Sequence, residues 1–138
     1  MPEAPTFYPI LTYRDAEVAL DWLQAAFGFA LRFRTPGPDG TVAHAELDYG
    51  TGVVMLHSGS PASPSPADWR ETLQAVYVAV EDPDGHCKRA RAARAEITRE
   101  PEDTDYGSRE YSARDPEGHH WHFGTYRPAP GEESAPGA

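Results

Sequence analysis

The sequence places four histidines and one glutamate where their side chains could bind a metal ion or transfer protons: His44, Glu46, His57, His120 and His122. All five lie on strand-like segments, and the alternation of side chains along a strand predicts that they project to one face of a sheet. Two such histidines on one strand stand roughly 6.5–7 Å apart, so an ion would need ligands from a second strand. We therefore expect a polar pocket lining, without metal or cofactor; a displaced His/Glu metal site is the alternative.

Nucleophilic catalysis has less support. The sequence contains no Gly-x-Ser-x-Gly motif, which would present a nucleophilic serine on a tight turn. The single cysteine, Cys87, falls on a predicted helix and is interpreted as a small buried residue; alone, it excludes an internal disulfide. The carboxylate of Glu46 could act as a base or bind a cationic ligand. We expect no catalytic residue.

A repeat of 67 residues organises these side chains. Strand-to-helix-cap segments at 10–15 and 77–82 are separated by this offset, and so are the turn segments at 48–52 and 115–119. Because two separate landmarks share one offset, we infer a tandem duplication of a βαβββ unit. Asp15 and Asp82 are expected to cap the helices, and Gly28 to end the first one.

The repeat predicts an α+β fold in which two βαβββ modules form a curled mixed sheet around a groove, with the helices on its outer face. We expect the first module over residues 1–57 and a Ser- and Pro-rich connector over 58–70. The second module should follow over 71–127, and a disordered tail over 128–138.

The sheet face away from the helices is predicted to mix Tyr, His, Arg, Glu and Met side chains. Because Tyr and Met are costly to leave in water, we favour a ligand groove over a plain solvent-exposed face. Trp69, in the connector, could add a stacking surface or simply hold the connector in place. The predicted ligand-binding residues are Tyr8, His44, Glu46, Met55, Trp69, Tyr77, Arg109, Tyr111, His120 and His122.

With this repeat, the sequence resembles the vicinal oxygen chelate superfamily, which includes glyoxalase I, extradiol dioxygenases, fosfomycin-resistance enzymes and bleomycin-resistance proteins. The resemblance covers residues 6–127. It rests on LTYRD at 11–15, AAFGF at 25–29, HAEL at 44–47, YGSR at 106–109 and DPEGH at 115–119, together with Trp121.

Metal-dependent members of that family take their ligands from the first and last strand of each module. The resemblance maps these positions onto Tyr8, Met55, Ala75 and His122, of which His122 alone is an ordinary ligand. It therefore implies a metal-free protein of the bleomycin-resistance type, which binds and sequesters a small hydrophobic or aromatic molecule such as an antibiotic. The alternative is an enzyme of this fold: a lyase, isomerase or dioxygenase with an atypical metal site, or a metal-free isomerase or epimerase using Glu46 and His122.

Length, charge and hydropathy limit the kinds of partner that the protein can have. The 138 residues suggest one globular domain, and 12 basic against 22 acidic side chains give a net charge of −10. This acidity disfavours nucleic acid, whose binding needs clustered Lys and Arg. No apolar run reaches the roughly 18 residues of a membrane span, so we expect a cytoplasmic protein without membrane contact. The resemblance also implies a homodimer, whose modules could be exchanged between chains.

Overall fold

Each half of the chain folds into the same order of elements: one strand, one helix and three strands. The computed structural model describes residues 5–60 and 74–128. The chain divides into two units, Met1–Ser65 and Pro66–Ala138, and each contains one βαβββ module. The predicted α+β duplication is confirmed. Trp69, residues 61–70 of the predicted connector and residues 129–138 of the predicted tail lie outside the described residues.

The first unit begins with a strand that leads into a capped helix. The Asp15 carboxylate accepts a hydrogen bond from Val18 N at 3.1 Å, and Gly28 ends the helix at φ 78°, both as predicted. The elements are β1 (Ile10–Tyr13), α1 (Ala16–Phe27), β2 (Ala30–Pro36), a 3-10 turn (Pro38–Gly40), β3 (Val42–Tyr49) and β4 (Gly52–Ser58). The strands pair in the order β1-β4-β3-β2, with β1 parallel to β4 and the other pairs antiparallel.

The second unit repeats this arrangement with a shorter helix. The Asp82 carboxylate accepts a hydrogen bond from Gly85 N at 3.1 Å, as predicted, and the helix ends at Ala92. The elements are β5 (Val76–Ala79), α2 (Pro83–Ala92), β6 (Glu96–Asp103), β7 (Arg109–Arg114) and β8 (His120–Gly124). The strand order is β5-β8-β7-β6, again with the first pair parallel.

A hydrophobic core lies between helix and sheet in the first unit. Leu20, Leu23 and Phe27 form the buried stripe of α1, and Leu47 and Leu56 are buried on the sheet. Fully burying a Leu or Phe side chain contributes about 1.5–3 kcal/mol. This stripe therefore fixes which face of the first sheet turns away from solvent.

In the second unit the sheet supplies most of the core volume, because α2 buries small side chains. Cys87 and Ala90 are buried on the helix, which confirms the interpretation of Cys87 as a small core residue. The rings of Tyr111 and Phe123 stack at 4.9 Å, and Trp121 lies 6.4 Å from Phe123. These three buried aromatic side chains supply the core volume that the small side chains of α2 do not.

The two modules do not match residue for residue, because two connections differ in length. Tyr49 pairs with Gly52 across a two-residue turn, whereas the turn between β7 and β8 holds three residues, closed by a 3.0 Å hydrogen bond from Asp115 N to His119 O. From the helix cap to the start of the following strand, the second module is one residue shorter than the first. Strands β6 and β7 therefore follow the first module at an offset of 66 residues, while β5 and β8 keep the offset of 67.

This shift reverses the predicted faces of β7. A slip of one residue moves every side chain of a strand to the other side of the sheet. Tyr111 is fully buried and its hydroxyl is hydrogen-bonded to His86 Nδ1 of α2. Arg109 binds Asp84 of α2 through Nε at 2.7 Å and Nη2 at 2.9 Å. The prediction that Arg109 and Tyr111 line the face away from the helices is wrong.

Neither helix within residues 5–60 and 74–128 is long and apolar enough to cross a membrane.

The turn before β8 depends on a buried carboxylate. Asp115 accepts hydrogen bonds from Glu117 N, His119 N and Trp121 Nε1, each at 3.1 Å. We expect Asp115→Ala to lower the free energy of unfolding by about 2–4 kcal/mol in urea titrations, because a buried indole N–H loses its acceptor. Asp48→Ala, beside the corresponding turn, is the control and should cost less than about 0.5 kcal/mol. Equal losses for the two variants would contradict this account of the turn.

Candidate functional site

The second sheet carries a row of polar side chains on the face away from α2, which we call the second polar face. The strand register aligns Tyr77 of β5, His122 of β8, Ser112 of β7 and Arg99 of β6 across all four strands. Strand alternation puts Glu110 on the same face of β7 as Ser112. Five side chains with hydrogen-bonding capacity are thus presented on one side of the sheet.

A buried carboxylate lies within this row. The Glu110 side chain is 8% exposed, and its oxygens accept from Arg99 Nη2 at 3.1 Å and lie 2.9 and 3.0 Å from Tyr106 Oη. The hydrogen bond to Glu110 raises the pKa of Tyr106, so the hydroxyl stays a donor. Arg99 also faces Glu102, with 3.7 Å between Nη1 and Oε1. The negative charge of Glu110 is therefore compensated within the protein.

His122 stands beside this ion pair with one nitrogen engaged. Its Nδ1 lies 2.6 Å from Ser112 Oγ, and no other residue of the described ranges is hydrogen-bonded to the ring. Burial lowers the pKa of His122, and the positive charge of Arg99 lowers it further. The imidazole is therefore neutral near pH 7 and presents Nε2 as a hydrogen-bonding group.

Tyr77 borders the row with an exposed ring and a fixed hydroxyl. Tyr77 as a whole is 37% exposed, while its Oη donates a hydrogen bond to the Tyr126 carbonyl at 2.6 Å. Burial of the hydroxyl and the nearby charge of Glu110 raise the pKa of Tyr77 to about 12. Gly124 permits this packing, since an added Cβ would lie 2.6 Å from Glu110 Cγ and 2.7 Å from Tyr77 Oη. Tyr77 can therefore offer its ring, but not its hydroxyl, to a ligand.

His120 occupies the same face of β8 two residues before His122, but it is enclosed. The residue is buried, and its Nε2 has no hydrogen-bond partner within the described part of the chain. Burial lowers the pKa of His120, with a further contribution from the charge of Arg114. The imidazole of His120 is therefore neutral, and it is buried rather than presented to a ligand on the second polar face.

The first sheet has its own polar face, opposite α1. The Glu46 carboxylate accepts from His44 Nε2 at 2.9 Å and Arg32 Nε at 3.2 Å, and the hydrogen bond from His44 is the largest cause of its lowered pKa. Phe33 is 46% exposed, with its ring 5.8 Å from that of His44. Met55 pairs with Glu46 on the neighbouring strand. This face combines an ion pair with exposed apolar surface.

The structure divides the predicted ligand-binding residues among three places. His44, Glu46 and Met55 lie on the first polar face, and Tyr8 precedes β1 with part of its surface exposed. Tyr77, His120 and His122 lie on the second sheet away from α2. Arg109 and Tyr111 pack beneath α2.

Sequence reasoning missed four residues of the second polar face. Glu110 and Ser112 were not candidates, because a constant offset of 67 residues assigned β7 to the wrong face. Arg99, on β6, and Tyr106, in the loop after it, were not candidates because nothing in their residue types indicates that they bind Glu110. The signal that could have found Glu110 and Ser112 is the longer turn at 115–119, whose extra residue reverses the alternation of β7.

The sequence of this chain is similar to a known protein family and to two mycobacterial proteins. The family model described as Glyoxalase/Bleomycin resistance protein/Dioxygenase superfamily matches residues 7–123. Protein Mb0911c of Mycobacterium bovis is 34% identical over 125 residues, which cover 87% of this chain and 82% of the relative. Protein Rv0887c of Mycobacterium tuberculosis has the same identity over 87% of this chain and 74% of its own length.

Solved structures share the fold. The crystal structure of TioX from Micromonospora sp. ML1 is 39% identical, with a TM-score of 0.70, and the match covers 88% of this chain and 98% of that chain. The fosfomycin resistance protein FosX from Mesorhizobium loti matches with a TM-score of 0.65 over 92% of this chain and 94% of its own. At 16% identity, this second likeness shows the fold alone.

At the four positions that the family resemblance maps onto metal ligands, the residues of this chain do not suit a divalent ion. A site of this type needs His, Glu or Gln donors, whereas Tyr8, Met55 and Ala75 stand at three of the four positions. The fourth residue, His122, has Nδ1 engaged by Ser112. Within residues 5–60 and 74–128, no three His, Cys, Asp or Glu side chains are grouped to hold a metal ion. The donor set therefore does not fit the metal.

The raised pKa of Tyr77 predicts a pH dependence of stability. A phenol with a folded pKa of about 12 and an unfolded value near 10 stabilises the fold below pH 10, and this contribution is lost as the pH rises through 12. Urea unfolding of the wild type should therefore weaken between pH 9 and pH 11.5, and the decrease should be smaller in Tyr77→Phe. Equal decreases in both proteins would show that the Tyr77 hydroxyl is not protected.

The close packing above Gly124 gives a second test. Gly124→Ala should lower the free energy of unfolding by about 1–3 kcal/mol, because its Cβ would displace the side chains of Glu110 and Tyr77. Gly52→Ala is the matched control at a strand end, since its Cβ would meet Tyr49 O at an ordinary 3.5 Å. Thermal unfolding of both variants measures the difference. A Gly124→Ala variant as stable as Gly52→Ala would contradict the observed packing.

Proposed function

We propose that this chain, which belongs to the Glyoxalase/Bleomycin resistance protein/Dioxygenase superfamily, binds and sequesters a small hydrophobic or aromatic molecule, an antibiotic, without a metal ion. The observation that carries the proposal is the second polar face. There an exposed tyrosine ring stands beside a neutral histidine nitrogen, and the neighbouring charges are already paired. Such a surface can stack on a planar group and orient it by hydrogen bonding.

The exposed aromatic surface supports binding. Tyr77 is held by its hydroxyl, so its ring loses little further freedom when a ligand stacks on it. Phe33 and Ile10 add exposed apolar surface on the first sheet, at 46% and 63% exposure. Large apolar side chains on a polar sheet face favour an interaction site over a purely solvated surface.

Metal independence is supported by the donor set. Met55 and Ala75 cannot supply the oxygen or nitrogen lone pairs that a catalytic divalent ion requires. Glu46, which pairs with Met55 on the neighbouring strand, and Glu110 of the second sheet are each hydrogen-bonded to an arginine. We therefore propose that recognition relies on side chains alone.

An enzyme of the same fold is the second candidate, and the Ser112–His122 hydrogen bond is the observation that favours it. A neutral histidine whose Nδ1 is fixed can accept a proton at Nε2, as a metal-free isomerase or epimerase would require. Glu46 suits the role of base less well, because His44 and Arg32 stabilise its ionised form and lower its pKa. His122 would then carry the proton transfer.

We also propose that the protein is a homodimer, as the family resemblance implies, with modules that can pair between chains, and that it is cytoplasmic, as expected from the lack of an apolar run of about 18 residues. Size-exclusion chromatography with light scattering would measure the oligomeric state. A monomer at all concentrations would contradict this part of the proposal.

The decisive experiment measures binding and chemistry together. Protein treated with a chelator, and shown by elemental analysis to be free of Zn, Mn, Ni and Fe, is titrated with glycopeptide and intercalating peptide antibiotics. We expect quenching of tryptophan and tyrosine fluorescence by at least one compound, and recovery of that compound intact by mass spectrometry. Tyr77→Ala should weaken binding about two- to tenfold through lost stacking. Tyr111→Phe, which alters a hydroxyl beneath α2, is the control and should bind normally.

Two results would contradict sequestration. One is a stoichiometric metal whose removal abolishes binding; the other is conversion of the bound compound into a product. Product formation that disappears in His122→Ala would instead support the enzyme.

A further inference from the structure

The second polar face has no unpaired charge to offer a ligand. Glu110 is enclosed and bound by Arg99 and Tyr106, and the other arm of Arg99 faces Glu102. A ligand cation that reached Glu110 would have to displace Arg99. A ligand anion that reached Arg99 would have to displace a buried carboxylate. The second exchange leaves the buried Glu110 carboxylate without its cationic partner, which is strongly unfavourable, and the first breaks the hydrogen bond that joins Arg99 to Glu110.

The hydrogen-bonding capacity that a ligand can reach is uncharged, because Arg99 Nε, which has no partner within residues 5–60 and 74–128, is buried. His122 lies beside Arg99, whose charge disfavours a second positive charge on the face. Its Nδ1 is shared with the Ser112 hydroxyl, which can either donate or accept. Nε2 can therefore accept a hydrogen bond in one tautomer and donate one in the other. A group that is itself uncharged and carries a donor or an acceptor satisfies this nitrogen.

Tyr77 supplies the neighbouring surface. It pairs in register with His122 on the adjacent strand, and its hydroxyl is committed to the Tyr126 carbonyl. A ligand at His122 thus contacts the aromatic ring of Tyr77, but the Tyr77 hydroxyl is not free to donate a hydrogen bond to it. This places an apolar, preferably aromatic, body next to the hydrogen-bonding group.

We propose that the second polar face selects an uncharged aromatic ligand with a carboxamide-type or hydroxyl group, which binds His122 Nε2 while its ring contacts Tyr77. This inference rests on the proposed binding function and narrows its ligand class. The Arg99–Glu110 pair acts as a charge filter: its own two charges cancel, and the further carboxylate on Arg99, Glu102, is exposed to water, so that neither a cationic nor an anionic ring is favoured.

Three ligands of the same shape and different charge test the filter. Naphthalene-2-carboxamide, naphthalene-2-carboxylate and naphthalene-2-carboxamidinium are titrated into the full-length protein at pH 7 and followed by nuclear magnetic resonance. We expect the carboxamide to bind about tenfold more tightly than either charged compound. The backbone amide signals of Ser112 and His122 should shift on binding.

Removing one member of the ion pair should invert the selectivity. Glu110→Gln leaves Arg99 uncompensated, so the carboxylate should become the tightest of the three ligands. Arg99→Gln leaves Glu110 uncompensated, so the amidinium should become the tightest. The matched controls are Glu100→Gln and Arg91→Gln, which alter an exposed Arg–Glu pair between α2 and β6. Neither control should change the order of affinities.

Several results would overturn the inference. They are a wild type that prefers a charged compound or binds all three equally, no binding at about 1 mM, or an order that the Glu110 and Arg99 variants leave unchanged. If circular dichroism shows that either variant does not fold, the order measured for the wild type decides. Antibiotic binding at Tyr77 without a preference among the three compounds would contradict the ligand class while leaving the proposed function intact.

Discussion

The burial of one carboxylate constrains the whole arrangement of the second polar face. Glu110 lies within a sheet, and a carboxylate removed from water requires both a compensating charge and hydrogen bonds. Arg99 and Tyr106 meet this requirement from β6 and the loop that follows it. Gly124 leaves the space in which the Glu110 side chain and the Tyr77 hydroxyl meet. Arg99, Tyr106 and Gly124 are thus placed where they bind the buried Glu110 carboxylate or leave room for its side chain.

The duplication makes the same backbone positions serve different chemistry. The row Ile10, Met55, Glu46 and Phe33 on the first sheet corresponds by register to the row Tyr77, His122, Ser112 and Arg99 on the second. Apolar residues therefore border an ion pair in one module, whereas polar residues surround an ion pair with a buried carboxylate in the other. Because strand pairing fixes the backbone in both, the side chains of each face can vary without loss of the fold.

Much of the fold was predictable because its signals are local. Asp15, Gly28 and Asp82 define helix ends through contacts within three or four residues, and each acts as expected. The face of β7 depends instead on the number of residues in a turn, where one extra residue reverses every side chain. The partners of Glu110 were beyond sequence reasoning for another reason. Arg99 lies on a different strand, and nothing in the residue types states which carboxylate it binds.

Net charge and local charge act on a ligand at different distances. The net charge of −10 produces a field that disfavours the approach of anions, but it is screened beyond about 8–10 Å at physiological ionic strength. Within contact distance, the Arg99–Glu110 pair determines which ligand charge is favoured, and the two charges of this pair cancel. An acidic protein can therefore attract a cation in solution and still bind a neutral molecule at its surface. Selectivity on the second polar face follows from the ion pair, because desolvation makes the nearest charges count most.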